Sequence, residues 1–381
     1  MYLYINVKLL TGVFNMNLPE LLRMTPTVFA VGDEYQIMVP VSAECLMWVE
    51  IKEECYYDDS NGILRSHTTL HRISVPCLAL DDAKEYTVCY RKMIERKPYH
   101  PETEEVVRHR FSFRPVQGDR IRIFHIADAH NRVESPVLAA QAMEGDIDLL
   151  VLNGDIPDHS GKLENFDAIY RICAEVTQGY IPCVFSRGNH DTRGIYAENI
   201  AEYTPTQHGN SYFTFHVGKL WGLVLDCGED KDDSHAEYGN TICCHAFRKR
   251  QTEFLKKVAQ TQEYNHYEYK VVIVHQPFSY VQKPPFDIEQ DIYKEWCYVL
   301  KNEIKPDLML SGHLHRTAVW MPGCPEDHLG QPCPIVVGAK PLPKGEDGRE
   351  GFIGAAITLD EGQISVQFVD DKKNILEEIR F

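Results

Sequence analysis

From about residue 27 to residue 115, apolar and polar positions alternate over short runs. Residues 35–39, 46–51 and 86–90 are rich in β-branched and aromatic side chains, and residues 109–114 set charged or polar groups between aromatic ones. That is the pattern of strands with one buried face. Turn-formers such as Asp58-Asp59-Ser60-Asn61-Gly62 separate the runs, and no helical period stands out. The spacing predicts a small antiparallel β-sandwich. With no cluster of chemical groups in it, this part reads as a structural or docking module.

The rhythm changes near Asp119. Residues 121–126, 149–152, 220–225, 271–274 and 308–310 are continuous apolar runs, as expected of strands covered on both faces. Between them apolar residues recur at three- and four-residue steps: Leu163, Phe166, Ile169, Tyr170, Cys173 and Val176, then Phe247, Phe254, Leu255 and Val258. Those steps predict amphipathic helices. A strand-rich tail covers 335–369. The pattern divides the chain into residues 1–117, an immunoglobulin- or fibronectin-like sandwich, and residues 118–381, an α/β unit.

Composition sets limits. Hydrophobic residues make up 44% and charged residues 25% of the chain, which excludes a disordered, collagen-like or coiled-coil protein. Lys plus Arg number 39 against 56 Asp plus Glu, a net charge of −17. So acidic a body repels phosphate backbones unless positive charge is gathered locally, and nucleic acid is an unfavoured partner. The basic run Arg248-Lys249-Arg250 reads as a solvated helix face. No run approaches a membrane span, and the opening stretch 1–14 lacks a basic start and a cleavage pattern. Twelve Cys are scattered without a CxxC pair, which points to reduced thiols and a cytoplasmic protein.

The chemistry sits where α/β folds place it, at the ends of buried strands. Asp128-Ala129-His130 follows the run at 121, and Gly154-Asp155 with Asp158 follows the run at 149. Gly188-Asn189-His190-Asp191 follows 181–185, His275 ends the run at 271, and Gly312-His313-Leu314-His315 ends the one at 308. Singly these are weak, since Asp-x-His recurs at Asp233-Ser234-His235 and Gly-Asp recurs at Gly145-Asp146. Gly-Asn-His-Asp is rarer, on the order of one chain in several hundred by composition. All of them in order, each at a strand end, form a strong signal. Hard oxygen and borderline nitrogen donors without a thiolate suit two divalent ions such as Mn²⁺, Fe²⁺ or Zn²⁺.

This order of motifs resembles the calcineurin-like metallophosphoesterases. The resemblance extends over about residues 120–369 and is nearest to a bacterial subgroup carrying a β-sandwich before the catalytic part. It implies a four-layer α/β/β/α fold, of the α+β class, following a small all-β sandwich. By resemblance, Asp128, His130 and His315 would hold one ion and Asn189, His275 and His313 the other, with Asp155 bridging. His190 would be the general acid and Asp158 the carboxylate orienting it, while attack on phosphorus would come from a hydroxide bridging the ions. Purple acid phosphatases have a Tyr in the second motif, and this loop has none. Protein Ser/Thr phosphatases carry Arg-Gly after the second Asp, where this chain has His159-Ser160, which argues against a phosphoprotein substrate.

Arg193 is placed to reach a substrate phosphate, or equally to pair with nearby acids. Asp191 reads as a supporting carboxylate. The acid-rich loop 228–240 reads as solvated surface in preference to a mobile rim of the site, and 338–351 as a connection between late strands. The expected function is hydrolysis of a small phosphate ester, a phosphodiester before a phosphomonoester. A non-catalytic scaffold and a nuclease of the same fold are the rivals. Oligomeric state is not legible.

Overall fold

A computed structural model describes residues 18–143, 146–345 and 348–381; the opening stretch 1–14 and Gly145 lie outside the described residues. The alternating runs of the first region become β1 (Thr27–Val31), β2 (Glu34–Pro40), β3 (Cys45–Ile51), β4 (Glu54–Tyr57), β5 (Asp59–Ser60), β6 (Ile63–Leu64), β7 (Leu70–Pro76), β8 (Glu85–Glu95), β9 (Glu102–Thr103) and β10 (Val107–Ser112). β3 shows the predicted alternation, with Cys45, Met47, Val49 and Ile51 buried and the residues between them half-buried. β1, β2 and β7 pair antiparallel, and β10, β8, β3 and β4 make a second sheet. A buried polar chain ties the two sheets: Cys45 Sγ lies 3.3 Å from His71 Nε2, and His71 Nδ1 lies 2.7 Å from Asp58 Oδ2.

One helix appears where the sequence suggested none, α1 (Cys77–Ala83). Only Cys77 and Leu80 of it are buried, so a single apolar step carries its period, too little to register in a sequence.

The second region contributes β11 (Ile121–Ile126), α2 (Glu134–Ala140), β12 (Leu149–Asn153), α3 (Asp167–Thr177), β13 (Cys183–Ser186), β14 (Phe213–Val217), β15 (Leu220–Leu225), α4 (Cys244–Thr261), β16 (Tyr269–Val274), α5 (Gln290–Val299), β17 (Leu308–Ser311), β18 (Ala318–Trp320), β19 (Ile335–Val337), β20 (Lys340–Lys344), β21 (Glu350–Asp360), β22 (Gln363–Asp370) and β23 (Ile375–Arg380). Parallel β11, β12 and β13 centre one sheet, and β14-β15-β16-β17-β19-β18 form the other. Leu220, Val224, Val271, Ile273, Leu308 and Leu310 pack in the core of the first sheet. The residues between them, such as Trp221, Leu223, Val272 and Met309, pack with Leu255 of α4 and Trp296 of α5. This is the four-layer α/β/β/α arrangement.

The two regions share a sheet. β1 runs parallel beside β13, with Phe29 opposite Cys183, so β1, β2 and β7 continue the central sheet. In α4, Lys249 and Arg250 are exposed as expected, but Arg248 is fully buried. It lies on the stripe of Cys244, Thr252 and Leu255, four residues apart or one step off. Its Nε donates to the Cys227 carbonyl at 2.8 Å and its Nη1 to Glu289 at 3.0 Å. Burial there is tolerated because carbonyls and a carboxylate replace water.

Candidate metal centre

Loops leaving the C-terminal ends of β11, β12, β13, β16 and β17 bring the predicted groups together, and they turn sharply to do so. Asp128, His130, Asp155, His313 and His315 all have φ between 46° and 68°, a conformation that costs a non-Gly residue of the order of 1–2 kcal/mol. Gly154, at φ 79°, clears the way for His275, whose ring would lie 2.5 Å from a Cβ there.

Donor atoms of Asp128, His130 and His315 lie within 4.8 Å of one another, and so do those of Asp155, His275 and His313. A third set, His130, Asp155 and His190, overlaps both, so Asp155 stands between the two. His130 Nε2 and His315 Nε2 face each other at 3.1 Å, and Asp128 Oδ1 is 3.4 Å from the latter. Asp155 Oδ2 lies 3.2 Å from His275 Nε2, and Asn189 Oδ1 lies 2.9 Å from His313 Nδ1. Asp128 and Asp155 are buried, while His315 is half exposed and marks the side open to solvent.

Burial alone would raise the Asp155 carboxyl, but His275 beside it holds it below its ordinary value. In return Asp155 and then Asp128 overcome the burial of His275 and raise it. Burial pushes His313 down to about 4, with His275 adding to the effect. His275 Nε2 and His130 Nδ1 are buried and make no well-aligned hydrogen bond, although carboxylate oxygens of Asp155 and Asp158 lie 3.2 and 3.4 Å away; a bound cation among these groups would satisfy them better. The donor set fits divalent metal.

Around the donors the outcome is mixed for the sequence expectations. His190 Nδ1 meets Asp158 at 2.8 Å, but through the main-chain carbonyl; the Asp158 carboxylate lies instead 3.4 Å from His130 Nδ1. Asp191 is fully buried and accepts from the Asp155 N–H at 3.0 Å and the Gly188 N–H at 2.7 Å. Burial, then the nearby Asp155 charge, raises its carboxyl to about 7. Arg193 pairs with an acid, as one of its two expectations had it. Glu229 takes its Nε at 2.9 Å and its Nη2 at 2.8 Å, while its Nη1 lies 3.3 Å from His190 Nε2.

The acid-rich loop 228–240 is not simply solvated surface. Glu229, Asp230 and Lys231 are buried, and Tyr238 Oη lies 3.1 Å from Glu229 and 2.9 Å from Asp230. Glu229 is a neighbour of these groups that the sequence did not single out, because it meets Arg193 across 36 residues. His125 is another: buried, and pushed down to about 3 by that burial, it lies 3.1 Å from Asn153 Nδ2.

Residues 121–317, more than half of the chain, match the family model of the calcineurin-like phosphoesterases. The chain belongs to this family. Among curated proteins it is similar to "Serine/threonine-protein phosphatase CPPED1" of Homo sapiens and of Pongo abelii, at 25% and 24% identity over 197 residues, 49% of this chain. The chain spans 59% of the length of these relatives. Among solved structures, the purple acid phosphatase PPD1 of yellow lupin aligns over 94% of this chain and 73% of its own, with a TM-score of 0.60 at 13% identity. PhoD aligns over 97% and 90%, with a TM-score of 0.56 at 12% identity. These likenesses show the fold. Membership of the calcineurin-like phosphoesterases implies divalent metal ions, in agreement with the donor set. Among the described residues no helix is long and apolar enough to cross a membrane.

Proposed function

We propose that the protein is a dinuclear metal-dependent hydrolase of a small phosphate ester. The observation that carries this reading is two donor sets, Asp128 with His130 and His315 and Asp155 with His275 and His313, joined by a third in which His130 and Asp155 meet. Asp128, His130 and His315 are assigned to one ion, Asn189, His275 and His313 to the other, and Asp155 to both. Mn²⁺, Fe²⁺ and Zn²⁺ all suit the donors. Two such ions supply a Lewis acid for phosphoryl oxygens and an ionised water near neutral pH.

The chain's own residues do the rest. The Asp158 carbonyl accepts from His190 Nδ1–H and fixes the ring, so that in the imidazolium form the second proton, on Nε2, goes to the departing alcohol oxygen as its bond to phosphorus breaks. Arg193, clamped by Glu229, presents its remaining nitrogen beside that same Nε2, where it can take a phosphoryl oxygen. Asp191 holds the Asp155 turn from below.

The decisive experiment is His190→Ala. Activity on an alkyl ester, a poor leaving group, is expected to fall by about 10²–10⁴, with a much smaller loss on a nitrophenyl ester. Equal, small losses on both sink the role of His190. Elemental analysis showing no metal, with no turnover by any divalent ion, favours a scaffold instead. A phosphodiester is the preferred substrate. The similarity to a protein named as a phosphatase favours a monoester as the second reading, and the rates on bis-p-nitrophenyl and p-nitrophenyl phosphate separate them. Twelve unpaired cysteines support a reducing compartment, the cytoplasm, as its location.

A further inference from the structure

A cavity of about 730 Å³ opens on the far side of Arg193, between the 193–197 turn and the start of α4. Its volume lies in the range of small-molecule sites. Arg193 belongs to both places: it lines the cavity and stands 3.3 Å from His190 Nε2. Arg193 is thus the residue that links the cavity to the His190 side of the metal centre.

The lining has a definite character. Phe247 carries two guanidiniums, with Arg187 Cζ 5.1 Å and Arg250 Cζ 5.7 Å from its ring centre. Arg187 is partly neutralised by Asp226 at 2.6 Å. Arg250 is exposed and makes no ion pair among the described residues. Two of the carboxylates in the wall are already paired, Glu229 with Arg193 and Glu237 with Lys231 at 3.0 Å, while Glu198 is exposed. The lining also has apolar members. Ile195 is 70% exposed and Ile242 is half-buried. An exposed Ile beside a cationic ring stack suits a ligand with an apolar body and a negative end.

Resting on the phosphoesterase reading, we propose that this cavity is the leaving-group subsite, and that it selects small esters whose alcohol part carries an apolar body and a carboxylate that meets Arg250. The phosphoryl end sits at the metal centre, Arg193 lies between, and Arg250 reads the far end.

The test uses the full chain loaded with Mn²⁺ and two non-hydrolysable probes, phenylphosphonate and 4-carboxyphenylphosphonate, with binding measured by calorimetry. The carboxylated probe is expected to bind about tenfold more tightly, the effect of one charge-assisted contact. Arg250→Glu should abolish that ratio. Lys249→Glu, the same charge change one residue away on an exposed position of α4, should keep it, which separates contact from long-range field. Ile242→Trp, which fills the cavity, should weaken both probes. A ratio near one in the unaltered protein, or an equal change in both charge variants, overturns the subsite. Binding with the expected ratio but no turnover of any ester would overturn the catalytic reading and leave the subsite standing as a ligand site.

Discussion

Asp128, His130, Asp155, His313 and His315 share a backbone conformation that their side chains disfavour. The strain stays because neighbouring groups over-determine it: Asp128 accepts from the His313 N–H at 2.9 Å, and Asp155 accepts from the His190 N–H at 2.8 Å. The residue types and their order were legible, because metal chemistry restricts them to Asp, His and Asn. Their φ angles were not, since nothing in a sequence marks a left-handed Asp or His. Gly154 shows how narrow the tolerance is. A Cβ there would meet His275 Nδ1 at 2.5 Å and the Gly188 backbone at 2.7 Å, at a φ of 79°. Gly154→Ala is expected to break the 2.7 Å bond from His275 Nδ1 to the Asn153 carbonyl and to weaken metal binding by about 10–100-fold. Elemental analysis checks this; retention of two metals per chain would contradict it.

At the scale of elements, apolar runs predicted the buried strands β11, β12, β15, β16 and β17 within a residue or two. The short helix α1 was invisible, and so was the burial of Arg248 within a basic run, because a charge run reads as solvent-facing until its carbonyl partners 19 and 21 residues away are known. The partition at residue 117 was read from a change of rhythm. In space β1 pairs with β13, and Phe29 and Val28 enter the same core as Ile123 and Leu150. A fragment of residues 118–381 is therefore expected to expose β13 as an unpaired edge and to be insoluble or to lose its cooperative unfolding transition. A soluble fragment with a sharp transition in denaturant would establish the first 117 residues as a separate domain.

At the scale of the whole molecule, a net charge of −17 surrounds a centre that must receive an anion. Arg193, beside His190, is paired with Glu229 and Asp230. The long-range field therefore opposes the approach of an anionic ester. Raising ionic strength from about 0.01 to 0.15 M shortens the Debye length from about 30 to 8 Å. kcat/KM for an anionic ester is expected to rise several-fold over that range, measured at fixed metal concentration. A steady fall would mean that local positive charge, not the acidic body, governs encounter.

Spacing and residue type by themselves determined where the buried strands run and which hard donors stand at their ends, since each rests on short-range rules: period of burial, position at a strand end, hardness of the ligand atom. The layer order and the family came from the likeness of the motifs to a known family. Tertiary structure alone decided which atoms meet. It put the Asp158 carbonyl, not its carboxylate, against His190, locked Arg193 with Glu229, and joined the first region to the central sheet. Those contacts depend on directions set by loops tens of residues apart. Loop direction follows from packing and dihedral strain, neither of which leaves a periodic trace along the chain.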